Sequence, residues 1–156
     1  MRVHICAVGR LRAGPERALI EDYLTRFERS GRGLGLTLGG VHEVEDKKGG
    51  GKPAEATLLS KVIPDGATLI ALDEHGKVFS SPKFASHLST IRDAGCGDLA
   101  FVIGGADGIA PELLAKADMK LSFGAMVWPH MLARVMLSEQ LYRAASILAG
   151  SPYHRV

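Results

Sequence analysis

LSFGAMVWPHMLARVMLSEQLYRAASILAGSPYHR, residues Leu121 to Arg155, is the stretch whose reading decides the fold. Three parts follow one another in it. Leu121 to Phe123 ends a short apolar run that reads as a strand. Gly124 to Trp128 is a loop of small and apolar residues. Pro129 to Ala149 is the strongest helix pattern in the chain: Pro129 sits in the first turn, where a missing N–H costs nothing, and Gly150 with Pro152 stops it.

This helix carries more than one apolar stripe. Met131, Leu132, Val135, Met136, Leu137, Leu141, Tyr142, Ala145, Ile147 and Leu148 leave almost no side uncovered. A helix apolar all round is buried all round. Each large apolar side chain left in water forgoes about 1.5–3 kcal/mol. A second subunit, most simply in a two-fold homodimer, is therefore expected over part of it; the alternative is a central helix covered by its own chain. Within the apolar surface Glu139 and Arg143 stand four apart and share a face, with Ser146 near them. They form either a structural ion pair or the polar edge of a ligand site.

The remaining sequence sets bounds on these readings. With 156 residues, 46% of them hydrophobic, the chain makes one domain, 1–156, that needs no staples. Cys6 and Cys96 are far apart and form no CxxC, so they read as reduced thiols of a cytoplasmic protein. The apolar run Val3 to Val8 is too short for a signal-peptide core or a membrane span, so no membrane partner is expected. A net charge of +2 permits an RNA partner without demanding one.

Outward from the C-terminal stretch, strands alternate with helices. Val3 to Val8 is a buried strand, after which Arg10 and Arg12 put two cations at its carboxyl end. Pro15 opens a helix to about Arg29. Leu34 to Val44 reads as a half-buried strand. Glu45 to Lys52 is a solvated, flexible loop whose GGGK lacks P-loop spacing, although Lys47, Lys48 and Lys52 could touch a phosphate backbone. Pro53 to Lys61 is helical, Ala67 to Leu72 a strand, and Asp73 to Gly76 its turn. Ser81-Pro82 opens a helix in N-cap then N1 order. Leu99 to Ile103 is a strand, Pro111 to Ala117 a helix, and Met119 to Phe123 the next strand. This order implies an α/β fold, a mostly parallel sheet with helices on both faces.

Ligands of such sheets bind beyond the carboxyl ends of the strands. Three strand ends carry notable loops: Leu72-Asp73, Gly104 to Gly108, and Phe123 to Trp128. Gly104-Gly-Ala-Asp-Gly108 is either a close-approach loop for a ligand or a tight strand-to-helix turn. Gly124 to Trp128 offers backbone amides between apolar groups, which suits an adenine ring, or plain core packing. No metal cluster is expected, because the six histidines show no HxH or HxxxH spacing. GxSxG is absent too. The chemistry should then depend on positioning and a diffusible cofactor.

Three segments together carry a family likeness: Phe101-Val-Ile-Gly-Gly-Ala-Asp-Gly108, Trp128-Pro-His-Met-Leu-Ala-Arg-Val-Met-Leu-Ser-Glu-Gln-Leu-Tyr-Arg-Ala144, and Pro152-Tyr-His-Arg155. They resemble the RlmH family, small bacterial methyltransferases of the SPOUT class. Ser151 and the stretch Gly49 to Lys52 depart from the family pattern, away from the presumed cofactor loops. The resemblance implies a C-terminal trefoil knot. It implies methyl transfer from S-adenosylmethionine to N3 of a pseudouridine in helix 69 of 23S rRNA, on the assembled 70S ribosome. It also implies a homodimer whose active site draws on both subunits. Cofactor contacts carry over onto Leu72, Gly104, Phe123, Gly124, Ala125, Met126, Val127 and Trp128.

For the chemistry, the expected catalytic groups are Arg143, to stabilise an N3 anion, and His154, as base. Glu139 is either the base or the group that orients Arg143. Tyr153, Arg155 and Arg10 are the expected RNA contacts. The competing reading of His154-Arg155 is a solvated terminus. Rival functions are a SPOUT enzyme on another RNA, a non-catalytic ribosome assembly factor, and a doubly wound nucleotide-binding enzyme.

Overall fold

The computed structural model describes residues 1–155. Five strands alternate with five helices: β1 (Arg2–Val8), α1 (Pro15–Gly31), β2 (Thr37–Val44), α2 (Gly51–Val62), β3 (Thr68–Val78), α3 (Ser81–Asp93), β4 (Asp98–Ile103), α4 (Pro111–Leu114), β5 (Met119–Ser122) and α5 (His130–Leu148). All strand pairs are parallel, in the order β2-β1-β4-β3-β5.

Period-two alternation divides the core into two layers. Val3, Ile5 and Ala7 of β1, with Leu99, Phe101 and Ile103 of β4, face α1, α3 and α5. Cys6 and Val8, with Ala100 and Val102, face α2 and α4. The second layer is built of smaller side chains and is covered by shorter helices. Cys6 is wholly buried there, and burial pushes its thiol up to about 12, so it is an inert packing group.

Helix α5 packs against both α1 and α3. Its own chain buries Leu137, Ser138, Leu141, Ala144, Ala145 and Ser146, while Leu132 stays 41% exposed. The helix closes as the sequence predicts. Gly150 takes the left-handed conformation, φ 70°; its N–H returns to the Ile147 carbonyl at 3.1 Å and that of Ser151 to the Ser146 carbonyl at 2.9 Å. This closure turns the chain and lays Tyr153 and His154 back against α5.

Several local expectations are corrected. Asp73 to Gly76 does not end β3. It is an excursion within the strand, which resumes at Lys77 and Val78 because β5 offers a partner there. The segment before α2 is drawn into a turn, in which the Asp46 carboxylate accepts the N–H groups of Lys48 (3.1 Å) and Gly50 (2.6 Å). Helix α2 then begins at Gly51. Ser80, not Ser81, caps α3, accepting the Lys83 N–H at 3.3 Å. Helix α4 is a single turn ending at Leu114, and residues 32–34 form a 3-10 turn ahead of β2.

Candidate active site

The three notable strand-end loops converge. A cavity of about 510 Å³ opens at the carboxyl ends of β3, β4 and β5. Leu72, Gly104, Phe123, Gly124, Met126, Val127 and Trp128 line it; Ala125, in the same loop, is exposed and does not. The volume suits a ligand of cofactor size. Apolar walls come from Leu72, Ile103, Ile109, Leu114 and Phe123, and polar groups from Lys52, Asp73, Glu74, His75 and Asp107.

The glycines here have distinct tasks. A Cβ on Gly104 would lie 2.6 Å from the carbonyl of Gly108, so Gly104 is required by the tightness of its own loop. Gly108 (φ 85°) and Gly124 (φ 114°) supply positive φ with open space where a side chain would stand. Bare backbone beside open volume on two facing loops is a cradle that fits a flat, hydrogen-bonding ligand. Ser122 braces it, its hydroxyl donating to the Glu74 carbonyl or the Gly124 carbonyl (both 3.1 Å) and accepting the Gly124 N–H at 3.0 Å.

The predicted catalytic groups form a second cluster on the outer face of α5. Glu139 Oε1 accepts from Arg143 Nε (2.9 Å), from Arg143 Nη2 (2.6 Å) and from the Tyr153 hydroxyl (3.0 Å). Gln140 Nε2 donates to Glu139 Oε2 at 2.8 Å, and Ser81 donates to Gln140 at 2.8 Å. The Arg143 guanidinium lies over the Tyr153 ring, 4.8 Å from its centroid. The hydrogen bonds that Arg143 donates to Glu139 raise the Arg143 pKa and keep it charged. Burial, and then the bond to Glu139, pushes the Tyr153 phenol up to about 12, so it stays a donor.

Arg143 Nη1 lies 3.2 Å from His154 Nδ1. A guanidinium can only donate, so Nδ1 accepts and the ring carries its proton on Nε2. Arg155 and Arg10 are exposed, the latter 3.6 Å from Glu45. Glu139 and Gln140 line a separate, largely apolar cleft of about 370 Å³ with Leu19, Tyr23, Val78 and Phe79. In one chain, therefore, the strand-end cavity and the Arg143 cluster are two places, sharing only Leu121 and Phe123 as a wall between their hollows.

A family model described as predicted SPOUT methyltransferase matches residues 1–154. A protein of Dinoroseobacter shibae named ribosomal RNA large subunit methyltransferase H is 69% identical over 156 residues, covering all of both chains. One of the same name from Ruegeria pomeroyi is 68% identical over the same full length. The chain belongs to the RlmH family of SPOUT methyltransferases. Among solved structures, a probable methylase family protein from Haemophilus influenzae Rd KW20 shares the fold at 14% identity. Its TM-score is 0.52, over 99% of this chain and 70% of that one.

Sequence reading missed one member of this RlmH architecture. Arg134 is completely buried, the largest side chain to be so. Its Nη1 donates to Glu43 Oε2 at 2.6 Å, and its Nη2 to the carbonyls of Gly9 (3.0 Å) and Val8 (3.3 Å). The available signal was a lone charge inside an otherwise apolar helical run, the same signal that drew notice to Glu139 and Arg143. Among the described residues no helix is long and apolar enough to cross a membrane, and no three His, Cys, Asp or Glu side chains gather as metal ligands.

Proposed function

We propose that this protein transfers a methyl group from S-adenosylmethionine to N3 of a pseudouridine in helix 69 of 23S rRNA, acting in the cytoplasm as a homodimer on the assembled 70S ribosome. The observation that carries the reading is the convergence of Leu72, Gly104 and the 123–128 loop on one cofactor-sized cavity, in a chain 69% identical to a large-subunit ribosomal RNA methyltransferase. Residues 1–156 act as one SPOUT domain, and the C-terminal trefoil knot of the class belongs to the same proposal.

Leu72, Gly104, Phe123, Gly124 and Met126 to Trp128 hold the cofactor, and Ala125 is the spacer that joins the two parts of the loop. Bound there, S-adenosylmethionine supplies a methyl group activated on a sulfonium. The N3 proton of pseudouridine leaves only well above neutral pH, so its removal needs help. Arg143 stabilises the developing N3 anion. Glu139 orients Arg143, because both of its oxygens are already committed as acceptors. The His154 Nδ1 lone pair is held by Arg143 in the free protein. When Arg143 turns to the anion, that lone pair is released to take a proton. Tyr153 and Arg155 stack on a base and grip a phosphate, and Arg10 holds the backbone further along.

The dimer supplies what one chain lacks. The cofactor cavity and the Arg143 cluster lie apart in the protomer, so a partner's cluster completes the site. The apolar surface such a partner would cover is present: Met126 (74% exposed), Val127 (82%) and Leu132 remain in water. A net charge of only +2 favours a shaped substrate over a bare strand.

The test is methyl incorporation from labelled S-adenosylmethionine into 70S ribosomes, 50S subunits and naked 23S rRNA, all from cells lacking the protein. Label confined to 70S and mapped to N3 of a helix 69 pseudouridine is expected. Label in another RNA keeps the methyltransferase and overturns the substrate. Ribosome binding without label or cofactor affinity overturns the reading in favour of a non-catalytic assembly factor.

A further inference from the structure

We propose that Glu43 and Arg134 are positioning residues for methyl transfer, a strut with its guanidinium end buried that fixes the start of α5 and, through it, the 123–130 segment of the cofactor cavity. The proposal rests on the cofactor reading given above.

Four observations carry it. First, Arg134 is wholly buried and binds three acceptors, the Glu43 carboxylate and the carbonyls of Val8 and Gly9. Second, the same carboxylate oxygen, Glu43 Oε2, accepts the Leu11 N–H at 2.8 Å, so one atom ties the loop after β1 to α5. Third, that loop packs directly on the head of the helix: a Cβ on Gly9 would lie 3.3 Å from Met131 Cε and 3.7 Å from His130 Nε2. Fourth, His130 and Ala133, on the first turn of α5, line the cofactor cavity. Phe123 to Trp128 has no strand or helix of its own and is anchored at one end by β5 and at the other by this turn.

The chemistry of the pair points the same way. An ion pair whose guanidinium is wholly buried and whose carboxylate is a quarter exposed is a poor device for stability alone, since packed apolar residues of similar volume at the arginine do as well or better. Arg134 Nε is moreover buried without a partner, a further cost that a methionine would not incur. What the guanidinium gives instead is direction. Its fork meets two carbonyls and a carboxylate at fixed angles, and so sets the rotation and height of α5 against β1 and β2. The loop carrying Arg10 is held by the same carboxylate, so the strut also joins the outer cationic loop to the cofactor cavity.

The experiment compares the parent dimer with Glu43→Gln/Arg134→Met, which removes both charges and keeps volume. Three quantities are read: the melting temperature, the Kd for S-adenosylmethionine, and hydrogen exchange of residues 10–12 and 123–130. A melting temperature near the parent's, faster exchange confined to those two segments, and a Kd weakened roughly tenfold to a hundredfold are expected, because small misplacements of a site carry losses of that order. A well-folded variant with parental exchange and parental Kd overturns the strut. Should the double variant not fold, Arg134→Lys, which keeps the charge but loses the fork, is read in the same way. If the parent itself does not bind S-adenosylmethionine, the cofactor reading fails. The exchange pattern then still decides the strut.

Discussion

Leu72 and Lys77 both stand opposite Leu121. The four residues between them leave the plane of the sheet and return, and Asp73, Glu74 and His75 become a wall of the strand-end cavity. An excursion of this kind re-aims a strand end without breaking the sheet. Its return depends on Gly76, where a Cβ would lie 2.6 Å from the backbone of Lys120. Backbone cannot step aside as a side chain can, so Gly76→Ala should push β5 away from β3. The expected destabilisation is about 1–3 kcal/mol, typical of overpacking, with weaker S-adenosylmethionine binding. Thermal melts and calorimetric titration check both.

Gly104→Ala should abolish cofactor binding as fully as a larger residue would. The added methyl meets the Gly108 carbonyl at 2.6 Å, so it unmakes the 104–108 loop before reaching any ligand. Gly124→Ala presses on nothing within 4 Å but is strained at φ 114°, and should cost about 1–3 kcal/mol. Affinity series at both positions separate a steric requirement from a conformational one.

Arg143→Ala should lower kcat by about 10²–10³-fold, the usual loss for one electrostatic donor, while the S-adenosylmethionine Kd holds. The guanidinium lies outside the strand-end cavity proposed for the cofactor in its own chain, which is why the two constants should part. Arg143→Lys should recover little. A lysine cannot hold Glu139 through two nitrogens and reach His154 with a third. Single-turnover kinetics on 70S ribosomes give the answer. On the proposed composite site, mixed dimers of Arg143→Ala with a variant of the 123–128 loop should regain part of the activity, since one of the two sites would be intact.

What was legible in the sequence was local. The three strand-end loops that line one cavity stood out because each follows a buried strand and carries glycine or small apolar residues, and strand ends are where such sheets bind ligands. The end of α5 was legible down to the Gly150 turn, since helix stops are set by two or three neighbouring residues. The excursion at Asp73 to Gly76 was not. Asp-Glu-His-Gly has turn composition, and the resumption at Lys77 depends on β5, more than forty residues away. Arg134 was hidden for the same reason: its partners Val8, Gly9 and Glu43 lie 91 to 126 residues distant, and no spacing rule links them. The all-apolar character of α5 is met in good part by α1 and α3 of its own chain, while Leu132 stays exposed.

The amino-terminal edge of the sheet should give the protein an acid limit. Asp98 accepts two hydrogen bonds from Arg2 (2.8 and 2.9 Å), and Asp98 Oδ1 lies 2.8 Å from His4 Nε2. The bonds from Arg2, then from His4, pull the Asp98 carboxyl down to about 2 from its usual 3.8. A depressed carboxyl stabilises the fold in full above its unfolded pKa and loses that contribution as pH falls through the folded one. The window therefore runs from about pH 4 to about pH 2. His42, 3.2 Å from His4 through its Nε2, adds a separate step. Burial, and then the charge on His4, lowers its pKa, so the unfolded chain takes up this proton first and stability declines as pH drops below about 6.5. Urea midpoints across pH 2–8 for the parent, Asp98→Asn and His42→Gln should resolve the two. The parent-minus-Asp98→Asn difference should be flat above pH 4 and shrink towards pH 2. The parent-minus-His42→Gln difference should change only below about pH 6.5. A difference for Asp98→Asn that does not narrow in acid would mean that the carboxyl is not held by Arg2 and His4.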